Sequence, residues 1–111
     1  MLHVLNGKIY INKESKTVAK TLFDKLVDKI EKILSDERDY IWIGREQNYI
    51  ALSFDLRFDE ESSRNTIRDW LINRHSYAEK GLIHQHTCYD DENLPCSDME
   101  EVLKWGDWVD D

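Results

Sequence analysis

The residues best suited to chemistry lie close together in the last third of the chain, in the run His84-Gln85-His86-Thr87-Cys88 and at Cys96. Alternate side chains of a strand point to one side, so His84, His86 and Cys88 would share a face, and Cys96 could return to it after a loop. Two imidazoles and two thiolates suit tetrahedral zinc. The spacing is not that of a common zinc finger, which favours two polar histidines on the solvated face of a strand beside two buried, inert cysteines. Zinc is therefore an alternative hypothesis, and the leading one is that there is no cofactor.

Cys88 and Cys96 are expected to be thiols, because the sequence predicts a cytoplasmic protein. The segment Met1–Asn12 lacks a basic region followed by an apolar stretch and a cleavage site, and no apolar run approaches the ~20 residues that span a bilayer. A disulfide that closes a short loop around Pro95 is the alternative for an oxidising compartment. The acids at 90–92 would not activate Cys88 as a nucleophile.

The common catalytic motifs are missing from the sequence. It contains no phosphate-binding loop, no G-x-G-x-x-G, no G-x-S-x-G and no EF-hand pattern, and it has only four glycines. Acids gathered at a chain end are usually solvated, whereas general acid–base catalysis needs them in a shielded cleft. The sequence therefore predicts that the protein is not an enzyme.

The charge is distributed unevenly along the 111 residues, whose net charge is −8. Residues 1–85 hold 14 basic and 14 acidic side chains, whereas residues 86–111 hold Lys104 against nine acids. Such a field repels phosphate backbones, which disfavours direct nucleic-acid binding, and attracts basic protein surfaces. The plain alternative is a solvated tail that only aids solubility.

Two tryptophans, Trp105 and Trp108, lie among these acids. Tryptophan is enriched at binding hot spots, where polar groups surround a rigid anchor. Equally, both indoles could fold back over the core of a small domain. The predicted partner-binding residues are Asp90, Asp91, Glu92, Asp98, Glu100, Glu101, Trp105, Asp107, Trp108 and Asp110.

In size and charge the chain resembles small acidic neutralising proteins: toxin immunity proteins, antitoxins and phage-encoded inhibitors. The resemblance covers no motif. It implies a stoichiometric inhibitor, monomeric or homodimeric and not membrane-bound, that blocks a basic partner such as a nuclease toxin by steric and electrostatic means. A further alternative is an accessory subunit or homodimer that pairs through the exposed side of a strand at 49–58.

The elements that would position these residues follow from hydrophobic periodicity, within a single domain over residues 1–111. Asn6-Gly7 predicts a type I′ turn between strands near 2–5 and 8–12. Helical spacing predicts a long helix over Ser15–Ser35, and strict alternation predicts a half-solvated strand over 49–58.

Further elements complete the predicted order. A strand is expected from Tyr40 to Ile43, a second helix that stops at Gly81, and a strand from Leu82 to Tyr89. Ser97 and Glu100 fit a capping box, which predicts a short C-terminal helix. The result is an α+β domain with a mostly antiparallel sheet, two main helices and a short C-terminal helix, in the order β-β-α-β-β-α-β-α.

Overall fold

The computed structural model describes residues 1–32, 41–46, 48–89 and 96–107. This part of the chain forms two helices, one short 3-10 turn (His75–Tyr77) and a sheet of five strands. In chain order the elements are β1 (Leu2–Asn12), α1 (Lys16–Glu31), β2 (Ile41–Glu46), β3 (Tyr49–Phe58), α2 (Glu61–Ile72), β4 (Lys80–Cys88) and β5 (Glu100–Trp105).

The strands lie in the order β2-β3-β1-β4-β5, and every neighbouring pair is antiparallel. The connectivity from β1 to β4 is that of a split β-α-β, or ferredoxin-like, arrangement. β5 extends this sheet beyond β4. The predicted α+β class, with a mostly antiparallel sheet and two main helices, is confirmed.

Both helices pack on one face of the sheet, and a single apolar cluster joins them to it. Alternation along β1 and β3 supplies the sheet side of the cluster, from Leu5 and Ile9 to Phe54 and Phe58. The opposite face carries no described helix, and we call it the open face. The helices contribute the buried residues Ala19, Leu22, Leu26, Ile30, Ile67, Trp70 and Leu71.

The predicted hairpin at Asn6-Gly7 is wrong, because β1 runs through both residues without a break. It is the central strand, and it pairs with β3 on one side and β4 on the other. Pairing along both edges outweighs the local turn preference. Gly7 serves close packing instead, since a Cβ there would overlap the carbonyl oxygen of Leu82 and lie 2.9 Å from Cζ of Phe54.

The predicted C-terminal helix is also wrong, because Glu100–Trp105 is a strand. Ser97 does not cap a helix; its hydroxyl accepts a hydrogen bond from the Thr87 backbone N–H at 2.7 Å. An isolated helix this short is marginal in water. The edge of β4 offers the backbone groups on one side of these residues hydrogen-bond partners in a strand.

The bounds of the other helices and strands differ less from the predicted ones. α1 confirms the predicted helix from Lys16 to Glu31 and has Lys32 as its C-cap, and residues 33–35 of that prediction lie outside the described residues. α2 ends at Ile72, so Gly81 is not a helix stop but part of β4. β3 has the predicted bounds, but it is not half-solvated along its whole length, because Ala51 and Ser53 on its outward side are buried. β2 runs from Ile41 to Glu46, and the predicted start at Tyr40 lies outside the described residues.

An ion pair crosses the open face between Lys8 of β1 and Glu46 of β2, with 2.9 Å between Nζ and Oε1. This hydrogen bond is the main cause of a lowered pKa at Glu46 and a raised pKa at Lys8. Because Glu46 is held ionised in the folded state, its contribution to stability is complete above the unfolded pKa, near 4.5. The contribution is lost as the pH falls through the lower, folded pKa.

We therefore expect Glu46→Gln to reduce the free energy of unfolding by less than about 1 kcal/mol near neutral pH, because both side chains are partly solvated. The deficit should vanish in acid. Urea denaturation over a pH series measures it, and a double-mutant cycle with Lys8→Met isolates the pair. A deficit of equal size in acid and at neutral pH would contradict this assignment.

Candidate functional site

The acidic C-terminal segment, residues 86–111, is described over residues 86–89 and 96–107. The second of these ranges contains the edge strand β5. Residues 96–107 carry four exposed acids, namely Asp98, Glu100, Glu101 and Asp107, against Lys104. β5 pairs with β4 on one side, and no described strand pairs with its other side. Glu100 and Glu101 therefore lie on the edge strand, whereas Asp98 lies two residues before it and Asp107 two residues after it.

Glu100 is tied to the body of the domain through side chains. The Gln85 amide donates to Oε2 of Glu100 at 3.0 Å, and the Gln85 carbonyl accepts from Arg68 on α2 at 3.2 Å. This chain of hydrogen bonds fixes one carboxylate on the helix side of β5. Glu101 is aligned instead with His84. Carboxylates therefore occupy both sides of the edge strand.

Trp105 attaches β5 to the domain. Its indole N–H donates to the carbonyl oxygen of Ala78 at 3.3 Å, and its ring meets His75 edge to face at 5.7 Å between centroids. Gly81, its partner in the register, leaves the space that the indole fills. Of the two alternatives in the sequence, these contacts are the ones expected of a core-covering indole. Its predicted role as a partner anchor stays a prediction.

Half of the predicted partner-binding residues lie outside the part of the chain that the structure describes. The structure therefore places Asp98, Glu100, Glu101, Trp105 and Asp107 along one edge. It gives no position for the other five, which are Asp90, Asp91, Glu92, Trp108 and Asp110.

Beside this edge, Cys88 and Cys96 form a disulfide, so the expectation of two thiols is wrong. The return of the chain along β4 explains the bond, since it brings the two Cα atoms to 4.2 Å. A ring nitrogen of His86 and both sulfurs lie within 4.8 Å of one another. His84 is not part of this group, although it shares the strand face. Two residues along a strand separate the two histidines by about 7 Å.

A cavity of about 180 Å³ opens on the open face next to this cluster, lined by His86, Cys88, Asp55, Arg57, Leu2, Val4 and Asn6. An Asp55 carboxylate oxygen lies 3.7 Å from Arg57, while Oδ1 of Asp55 is buried without a hydrogen-bond partner among the described residues. The same holds for Nδ1 of His86.

The sequence did not predict that Asp55 lies near His86. The alternation of β3 shows that Asp55 and Arg57 face away from the core. Only the strand order places β3 and β4 on either side of β1, with Val4 aligned to both Arg57 and His86. That order depends on contacts between distant segments, which one sequence does not reveal.

Three comparisons, with protein-family models, curated proteins and solved structures, find no match to this chain. Among the described residues, no helix has the length and apolar character needed to cross a membrane.

Proposed function

We propose that this chain is a small acidic protein-binding inhibitor, of the immunity-protein, antitoxin or phage-inhibitor type, and not an enzyme. It neutralises a basic protein partner, such as a nuclease toxin, by covering the partner's surface. The observation that supports the proposal most directly is the group of four exposed carboxylates on β5 and within two residues of its ends, namely Asp98, Glu100, Glu101 and Asp107. The proposal needs no reaction step.

The arrangement of β5 suits such a partner for two reasons. Carboxylates on an ordered strand have fixed spacing, so they match a set of cationic groups at less entropic cost than a loose tail would. The outer edge of β5 also has no described strand partner, so its backbone groups could bind an extended segment of the partner. Charge complementarity would speed association at low salt.

The proposal places the protein in the cytoplasm, with its partner. A disulfide there faces a reducing thiol pool and is usually transient or redox-sensing. The Cys88–Cys96 bond would accordingly be reversible in that compartment.

The test uses the product of the adjacent reading frame as the candidate partner, with binding measured by calorimetry at low and moderate salt. The variant reverses Asp98, Glu100 and Glu101 to lysine. The control variant reverses Asp24, Asp59 and Glu60, which are also exposed but lie elsewhere. Both variants change the net charge equally, so a difference between them reports on position.

We expect reversal of Asp98, Glu100 and Glu101 to weaken binding by at least about 100-fold. The control variant should change binding by less than about 5-fold. The affinity of the wild-type protein should fall steeply as salt rises. Equal losses in the two variants, or binding that ignores both salt and the reversals, would contradict the proposal. Two alternatives, a zinc-binding domain and pairing through an exposed sheet, stay predictions. β3 is paired on both sides, so an added strand would have to meet β2 or β5.

A further inference from the structure

The disulfide and its histidine neighbour form a compact donor set on the open face. His86 and Cys88 project from the same side of β4, and Cys96 reaches them from the segment before β5. One ligand atom from each of the three lies within 4.8 Å of the other two. Imidazole nitrogen and thiolate sulfur are the ligands that zinc prefers.

The position of Cys96 does not depend on the disulfide alone. The neighbouring residue, Ser97, makes two hydrogen bonds with Thr87. Its backbone N–H donates to the Thr87 carbonyl at 2.7 Å, and its hydroxyl accepts from the Thr87 N–H at 2.7 Å. These bonds hold the segment against β4 one residue away from each cysteine. Reduction of the disulfide would therefore leave Cys88 and Cys96 close together.

His86 has an unused hydrogen-bonding group. Its Nδ1 is buried, and no partner for it is found among the described residues. A buried polar nitrogen without a partner is unfavourable, because the hydrogen bond it makes to water in the unfolded chain is not replaced. Coordination by one ring nitrogen would fix the ring and define which nitrogen carries the proton.

We propose that His86, Cys88 and Cys96 form a three-ligand zinc site that exists only when the disulfide is reduced. In the oxidised protein the two sulfurs are bonded to each other, about 2.05 Å apart in an ordinary disulfide. On one zinc ion, two thiolates at about 2.3 Å from the metal lie nearly 4 Å from each other. The two states exclude each other, so the oxidation state of the cysteines decides whether metal binds.

The change from the oxidised protein to the zinc-bound protein begins with reduction of the disulfide. A phosphine reductant takes oxygen from water and becomes the phosphine oxide. Its two electrons break the S–S bond, and each sulfur takes a proton from the water. Zinc then displaces both thiol protons and forms two Zn–S bonds and one Zn–N bond. In a cell, two thiol molecules of the glutathione class would supply the electrons and become a disulfide.

Three protein ligands leave the fourth zinc position for water or a small anion. The adjoining cavity contains Asp55 and Arg57, whose side chains are charged. This set differs from the four-residue set suggested by the sequence, because His84 lies outside the group. His84 therefore provides a matched control on the same strand and the same face.

The experiment uses the full chain, oxidised or reduced with a non-chelating phosphine, and zinc alone as the probe. Thiol titration verifies the two redox states. Calorimetry measures stoichiometry and affinity, and cobalt substitution provides a thiolate-to-metal charge-transfer band. We expect one equivalent of zinc on the reduced protein, and less than about a tenth of an equivalent on the oxidised protein.

The variants test the ligand set. His86→Ala should weaken zinc binding by at least about 100-fold, whereas His84→Ala should change it by less than about 3-fold. Cys96 is exposed, so Cys96→Ser should keep the fold, measured by circular dichroism, and lose the site. The proposal is overturned if the reduced wild-type protein binds less than about a tenth of an equivalent, or if the oxidised protein binds equally well. Equal losses in His84→Ala and His86→Ala would overturn it as well.

Discussion

Replacing Gly7 with alanine is expected to lower the free energy of unfolding by about 3 kcal/mol. The added Cβ would overlap the carbonyl oxygen of Leu82 and lie 2.9 Å from the Phe54 ring. Leu82 belongs to a strand paired on both sides, so its backbone has little freedom to move away. A loss of this size is a large fraction of the stability of a small domain.

Gly44→Ala is the matched control, since a Cβ at Gly44 would meet nothing within 4 Å. Both substitutions stiffen the unfolded chain alike, so that effect cancels in the comparison. Urea denaturation of the two variants measures the difference. Equal stability of Gly7→Ala and the wild-type protein would show that β1 and β4 do not approach each other as described.

Trp105→Ala is expected to lower the free energy of unfolding by about 2–4 kcal/mol and to loosen β5. The substitution removes the indole that fills the space above Gly81, together with the hydrogen bond to Ala78. Trp105→Phe keeps a smaller ring but removes the N–H and part of the indole, so its loss should be smaller, about 1–2 kcal/mol. Urea denaturation measures the loss in the free energy of unfolding. Faster amide hydrogen exchange in Glu100–Trp105 would show that the loosening is in β5.

This pair of variants also separates the two roles that the sequence leaves open for Trp105. An indole that covers the core must affect the stability of the isolated protein. An indole that serves only as a partner anchor must leave the stability of the isolated protein unchanged. The opposite result, with stability changed by less than about 0.5 kcal/mol and partner binding strongly weakened, would favour the anchor.

The sequence predicts well the elements whose signal is local. The helical stripe of α1 and the alternation of β3 each bury one face, and each appears in the structure at the expected place. Asn6-Gly7 and the Ser97–Glu100 pattern are equally strong local signals, yet both are overridden. For Asn6-Gly7 the competing interaction is backbone pairing with β3 and β4, which are distant in sequence. For Ser97–Glu100 it is backbone bonding to β4, the strand that precedes β5.

The candidate sites divide in the same way. Alternation is enough to place His86 and Cys88 on one side of a strand, and composition is enough to find the acidic segment. Atomic positions show that His84 lies outside the donor set. Distances between strands decide that Asp55 lies beside His86 and Cys88. Those distances follow from the order of β3, β1 and β4.

The central position of β1 also constrains how the chain reaches its native state. β1 leaves the ribosome well before β4, its partner on one side, which extends to Cys88 in alignment with Leu2. Ordering of the sheet must therefore wait until β4 has been synthesised. Pairings between such distant segments slow the search for the native topology. Until β4 arrives, one side of β1 has unsatisfied backbone groups, and the nascent protein is most exposed to misassociation at that stage.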